Sequence, residues 1–195
     1  MRTPTLWWLP VWVMLLAAPQ FALGSDDGFP GRALFSTSTS ISTEDFKGLF
    51  DRSLPVDVRS AYEFETLHIK GAVHLALDDP EFGNKIKALR ASTDKAIVFY
   101  CNGRTCYKSY KADAKARNFG VTDNLMVFDA GVFEWAEANP DLAVLLGKSP
   151  VDPDRLLTKK DFERHLLGPD AFAAKVSTDN APFVLDIRSS NQRRS

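Results

Sequence analysis

Apolar residues in this chain fall into short β-prone runs, and segments of helical period lie between them. Ala96-Ile97-Val98-Phe99-Tyr100 is uninterrupted, the signature of a strand buried on both faces. Pro55 to Val58 and Leu125 to Phe128 read as shorter strands, and Gly71-Ala72-Val73-His74-Leu75 opens another. Ser42-Thr43-Glu44-Asp45 is a helix start, with Ser42 or Thr43 as N-cap and acids in the first turn. Phe46, Leu49 and Phe50 form the apolar face of that helix. Ala61 to Leu67 is helix-prone, and Asp79 to Ala91 places Phe82, Ile86 and Leu89 on one side. Ser109 to Phe119 predicts a helix ended by Gly120 at C′, and Phe133 to Asn139 one stopped by Pro140. Strands alternating with helices predict an α/β fold with a mostly parallel sheet. In such sheets the site lies at the carboxyl ends of the strands.

Outside this pattern the chain changes character. Arg2, the apolar stretch Leu6 to Ala18 and the small residues Ala22-Leu23-Gly24 read as a signal peptide over 1–24, cleaved before Ser25. The apolar stretch falls short of the ~20 residues of a membrane span. No stable span is therefore expected after cleavage, and a periplasmic or secreted protein is implied. Residues 25–40, rich in Gly, Ser, Thr and Asp, read as a flexible lead. Near the other end the chain echoes itself. Thr158-Lys159-Lys160-Asp161-Phe162 resembles Ser42 to Phe46, and Phe183-Val184-Leu185-Asp186-Ile187-Arg188-Ser189 resembles Leu54 to Ser60. The second copy stops after its first strand, with Gly168 to Ala181 as an insertion.

The 195 residues are 45% hydrophobic and 25% charged, an ordinary globular composition. A net charge of −1 leaves no nucleic-acid footprint, the Arg193-Arg194 pair reading as solvated tail. Three scattered histidines give no metal-ligand spacing, so neither metal nor cofactor is expected.

The chemistry concentrates where the central strand ends. Cys101-Asn102-Gly103-Arg104-Thr105-Cys106-Tyr107-Lys108 is a short polar loop between that strand and the helix from Ser109. Loop amides and a helix N-terminus favour negative charge, which predicts a lowered pKa for Cys101 and a nucleophilic thiolate. Arg104 and Lys108 would attract an anionic substrate, and Gly103 is expected to permit an unusual backbone angle. Cys106 is open to several roles: a resolving thiol, an accessory thiol, or half of a disulfide with Cys101.

These residues resemble the rhodanese family. Val56-Asp57-Val58-Arg59-Ser60, then Glu63, then His68-Ile69-Lys70-Gly71-Ala72-Val73-His74-Leu75 is similar to the opening of that domain, with His74 for the usual Asn and Ala76 where Pro is common. Tyr100-Cys101 matches the active-site cysteine, and Asp129-Ala130-Gly131-Val132-Phe133-Glu134-Trp135 the terminal motif, with Ala130 for its first Gly. The loop departs from the sulfurtransferase type, being two residues longer, with Lys108 falling on the usual Arg. Its C-N-G-x-x-C-x-x-S form, with Tyr107 after the second cysteine, resembles an exported bacterial subset.

The resemblance implies a three-layer fold and a sulfurtransferase that carries sulfane sulfur as a Cys101 persulfide. The donor would be thiosulfate or a similar small anion, and the acceptor a thiol, cyanide or a protein. Asn102, Gly103, Arg104, Thr105 and Lys108 would form the substrate loop, with Asp57, Arg59 and Glu63 bracing it. The implied division is signal peptide 1–24, lead 25–40, rhodanese-like domain 41–147, linker 148–157 and partial second repeat 158–195. A thiol–disulfide redox protein using Cys101 and Cys106, a non-catalytic binding domain, and a phosphatase or arsenate reductase, against which the absence of the usual loop Arg counts, are the alternatives.

Overall fold

The computed structural model describes residues 28–157, 159–186, 188 and 193. In chain order the elements are α1 (Pro30–Leu34), α2 (Thr43–Leu49), β1 (Ser53–Asp57), α3 (Ala61–Thr66), β2 (Leu67–Ile69), β3 (Val73–His74) and α4 (Phe82–Ser92). They continue with β4 (Ala96–Tyr100), α5 (Lys108–Asn118), β5 (Leu125–Phe128), α6 (Gly131–Ala138), β6 (Ala143–Leu145), α7 (Lys159–Glu163) and α8 (Pro169–Val176). Local chemistry sets several boundaries. Ser42 caps α2 by accepting the Asp45 amide at 3.1 Å. Ser60 and Glu63 form a reciprocal capping box on α3. After α5, Gly120 takes φ +86°, its amide bonds Arg117 O, and the Val121 amide bonds Ala116 O. That double closure is the Schellman motif, and glycine enters its left-handed position without steric cost.

The main sheet has the order β3-β1-β4-β5, with every pairing parallel. Alternation along β4 sorts its side chains between two cores. Ala96, Val98 and Tyr100 join Phe46, Phe128, Val132 and Trp135 beneath α2 and α6. Ile97, Phe99 and then Cys101 join Phe82, Ile86, Ala112 and Ala116 beneath α4 and α5. A strand buried on both faces needs the unbroken apolar run seen in the sequence. Asp57 pairs in register with Tyr100, so the residues that follow them emerge side by side at the carboxyl edge.

Several regions differ from the sequence expectations. A second sheet, β2 antiparallel to β6, sits beside the main one, and neither strand was foreseen at three residues each. The flexible lead expected up to residue 40 is packed from Pro30 onward. Arg32 grips Asp129 through Nε at 2.8 Å and Nη2 at 3.2 Å. Phe35 stacks on Tyr110 at 5.1 Å, and Ser38 Oγ donates to Asp113 at 2.7 Å. Thr39 O accepts the Val127 amide at 2.8 Å and Ile41 N donates to Val127 O at 3.0 Å, which covers the open edge of β5.

The expected linker at 148–157 likewise lies on the domain. Val151 is buried in the first core and its amide bonds Pro140 O at 2.8 Å. In the second copy α7 forms, but residues 181–186 make no strand, and Phe183 is 90% exposed. In the first copy β1 is held on both edges by β3 and β4, and among the described residues nothing offers 181–186 such edges. The signal peptide expected at 1–24 lies outside the described residues, as do Thr158, Ile187, Ser189 and Arg194. No described helix is long and apolar enough to cross a membrane.

Candidate active site

β4 ends at Tyr100, and Cys101 continues its alternation onto the α4/α5 face, where it is 1% exposed. The Cys101 carbonyl accepts the Val132 amide at 3.0 Å, which fastens the start of the loop to α6. The chain then turns back, the Cys106 amide bonding Gly103 O at 2.8 Å. That turn brings Cys106 over Cys101, and the two form a disulfide. Of the roles open to Cys106, this conformation displays the disulfide partner. The amides of Asn102, Gly103, Arg104 and Thr105 donate to no other protein group among the described residues.

Asn102 is where the expected brace converges. Arg59 follows β1 and folds onto Asp57, with Nε to Oδ1 at 2.9 Å and Nη2 to Oδ2 at 2.6 Å, both side chains being buried. Its remaining donors reach Leu67 O at 2.5 Å and Asn102 Oδ1 at 3.1 Å. From the other side Asn102 Nδ2 donates to Glu63 Oε1 at 2.9 Å, while Glu63 Oε2 accepts from Ser60. The amide next to Cys101 is thus read by a cation on its oxygen and a carboxylate on its nitrogen. Burial opposes the Arg59 charge, but the hydrogen bond and charge of Asp57 outweigh it and raise its pKa. Burial pushes the Glu63 carboxyl up, but hydrogen bonds from Asn102 and Ser60 leave it below the ordinary carboxylate value. Burial, then the charge of Asp57, pushes the Tyr100 hydroxyl well up. It stays neutral and accepts the Ile69 amide at 3.1 Å.

The two cations expected at the loop part company. Arg104 is bound to Glu134, Nε to Oε1 at 2.5 Å and Nη2 to Oε2 at 2.8 Å, and covers the Phe29 ring at 4.4 Å. It anchors the loop to α6 and to the segment before the domain. Lys108, the first residue of α5, has no ion pair among the described residues. It lines a pocket of about 130 Å³ with Val58, Arg59, Ser60, Leu77 and Asp78. Beside it Ser109 Oγ is buried without a partner among the described residues, an unmet donor at the end of the loop.

An unusual backbone angle was expected at Gly103, which has no positive φ; the positive φ lies at Gly131, at +78°. A Cβ on Gly131 would lie 2.4 Å from Gly103 N and 2.5 Å from Asn102 C. The glycine is therefore needed opposite the loop, where two backbones touch, rather than within it. His68 and His74 both stack on Phe64, at 4.3 Å and 5.1 Å. His74 Nε2 meets Arg59 O at 2.9 Å, which ties that ring to the brace, while His68 Nδ1 meets Phe64 O at 2.7 Å. Trp135 is fully buried, with Nε1 on Leu142 O at 2.9 Å. No group of His, Cys, Asp or Glu suited to a metal occurs among the described residues. Asn102 as the hub, and Glu134 and Phe29 as anchors of Arg104, were missed from sequence. Only the position of Asn102 directly after the cysteine hinted at its part.

Cys101 thus sits at the carboxyl end of the central strand, at the start of a loop whose amides are unpaired among the described residues and which ends at Lys108. That suits attack on, and retention of, an anionic sulfur species.

A family model described as the rhodanese-like domain matches residues 42–138. No curated protein matches the chain. Among solved structures, the BH2092 protein from Bacillus halodurans is 21% identical over 68% of this chain and 94% of its own, with a TM-score of 0.49. A human single-domain sulfurtransferase is 24% identical over 51% of this chain and 96% of its own, with a TM-score of 0.42. The As-Sb reductase from Leishmania major is 16% identical over 65% of this chain and 97% of its own, with a TM-score of 0.48.

Proposed function

The chain belongs to the rhodanese-like family through residues 42–138, and on that premise we propose that its reduced form is a sulfurtransferase with Cys101 as the sulfur carrier. The observation that carries this reading is the placement of Cys101 at the carboxyl end of β4, in a loop whose next residue is clamped by Arg59 and Glu63. The Cys101 thiolate attacks the outer sulfur of thiosulfate or a similar small anionic donor. A new S–S bond forms on Cys101 and sulfite leaves with the electrons of the broken bond. The persulfide is then given to a thiophilic acceptor, a thiol, cyanide or a protein thiol. Unpaired loop amides, and Lys108 in place of the paired Arg104, would stabilise the transferred charge. No metal or organic cofactor enters the chemistry.

The Cys101–Cys106 disulfide occupies the carrier, so reduction must precede transfer. The same bond favours a second reading, a thiol–disulfide couple that exchanges with dithiols. Export through residues 1–24 to the periplasm or beyond agrees with a bond that persists in oxidising compartments. The order of α7 followed by Asp186-x-Arg188, which matches α2 followed by Asp57-x-Arg59, supports taking 158–195 as a partial second repeat.

The test is thiocyanate formation from thiosulfate and cyanide by freshly reduced protein. Turnover is expected in Cys106→Ser, where no disulfide can close on the carrier, and none in Cys101→Ser. Reduced Cys106→Ser protein without turnover would remove thiosulfate as donor and leave the dithiol couple as the better reading.

A further inference from the structure

Cys106 covers a carrier that has almost no exposed surface of its own. Cys101 is 1% exposed and buried among Val58, Phe99 and Ala112, and Cys106 packs against the same cluster. The loop holds both sulfurs in this relation from several directions. Asn102 is clamped by Arg59 and Glu63, Arg104 is tied to Glu134, and the Gly103–Cys106 turn returns the chain onto Cys101. The disulfide shows that Cys106 Sγ reaches Cys101 Sγ itself. In a persulfide that atom is the inner sulfur, the one whose attack expels the outer one.

We propose that Cys106 is the internal acceptor of the reaction, and that the protein reduces sulfane sulfur to hydrosulfide. This rests on the Cys101 persulfide proposed above and adds the step that discharges it. The Cys106 thiol gives its proton to solvent, and its thiolate attacks Cys101 Sγ. The Cys101–Cys106 bond forms and the bond from Cys101 to the sulfane sulfur breaks. The outer sulfur, left as an anion when sulfite departed, takes up one proton from solvent and leaves with the bonding pair as hydrosulfide. Two electrons pass from the cysteine pair to that sulfur, so the pair ends as the disulfide of the structure. An external dithiol, oxidised in turn to a disulfide, resets the loop by thiol–disulfide exchange. Over a full cycle thiosulfate and a dithiol yield sulfite, hydrosulfide and a disulfide. Because attacker and target share one braced loop, the step is intramolecular and outruns transfer to a dilute external thiol. The substrate class is therefore a sulfane sulfur donor with a dithiol reductant, and the product is free sulfide.

The test is a single turnover of fully reduced protein with thiosulfate, without added thiol or cyanide, reading sulfite and sulfide separately. The wild type is expected to release one equivalent of each and to lose both free thiols. Cys106→Ser and Cys106→Ala are expected to release sulfite alone. Sulfite without sulfide from the wild type, with the persulfide retained, would overturn the resolving step while leaving the carrier reading intact. No sulfite from any of the three proteins would overturn the carrier reading, and the resolving step with it.

Discussion

Two Asp-x-Arg clasps in this chain have nearly the same internal geometry and opposite surroundings. In the first, Arg59 meets Asp57 through its amide at 3.0 Å, Nε at 2.9 Å and Nη2 at 2.6 Å. In the second, Arg188 meets Asp186 through the same atoms at 3.1, 2.9 and 2.8 Å. The first pair is buried at 2% and 0% side-chain exposure, whereas the second stands at 58% and 37%. The clasp is thus a local property of the Asp-x-Arg turn and needs no surrounding fold. What the fold adds to the first copy is burial, which makes the charges interdependent, and partners beyond the pair. Leu67 O and Asn102 take the donors that Asp57 leaves over, and through Asn102 the clasp reaches the residue beside Cys101.

The sharpest way to break the comparison is to remove one member of the buried pair. Arg59→Ala leaves the Asp57 charge without its partner, and the cost expected is about 3–5 kcal/mol, read from the urea midpoint. Sulfur transfer is expected to fall further than stability accounts for, because Asn102 loses the group on its oxygen. Next in size is Gly131→Ala. Its left-handed backbone and the 2.4 Å approach to Gly103 N leave no room for a Cβ without moving the loop. A cost on the order of 1–3 kcal/mol is expected, together with a loss of thiocyanate-forming activity in the protein that remains folded.

A comparable effect is expected from Asn102→Ala, about 1–3 kcal/mol for the two groups left unpaired, with the loss falling mainly on kcat. Glu63 supplies a pH signature for the same contact. Its carboxyl is held below the ordinary value, so its contribution is fully present above the unfolded-state pKa. It is lost as pH falls through the lower folded-state value. The Tm difference between wild type and Glu63→Gln should therefore be clear at neutral pH and shrink on acidification below the ordinary carboxylate pKa. A difference that stays constant down to strongly acid pH would contradict the assignment.

The smallest effect is expected at the exposed clasp. Arg188 holds the Asp186 carboxyl at about 2 through its side-chain and backbone hydrogen bonds. Arg188→Ala, which removes the side-chain bonds and keeps the backbone one, should raise it toward the ordinary range in an NMR titration and leave the unfolding midpoint unchanged. A marked drop in stability there would erase the contrast between the two copies.

The same contrast explains what could be read from the sequence. β4 and β5 were legible residue for residue because continuous burial leaves a continuous apolar run. α5 was legible because Gly120 marks its end by backbone geometry. β2 and β6 were not, since three residues carry too little pattern and their partner lies far along the chain. The lead fails for a related reason. Its Gly, Ser and Thr signal a loop, and only contacts with Asp129, Tyr110 and Val127 show that it is packed. Cys101 and the bracing set Asp57, Arg59 and Glu63 were picked out by type and order. Their meeting point, Asn102, depends on contacts 43 and 39 residues apart, which no local pattern encodes. The sequence also read the Asp186 copy as a strand, because it carries the residues of β1 without the edges that β3 and β4 provide.

The carrier role of Cys101 is tested most directly by the mass of reduced Cys106→Ser protein after exposure to thiosulfate. In that variant Cys101 is the sole thiol in the chain. The account predicts a gain of one sulfur atom, located on the peptide that contains Cys101 and removed by cyanide. An unchanged mass, with Cys101 still free to alkylate, would contradict it.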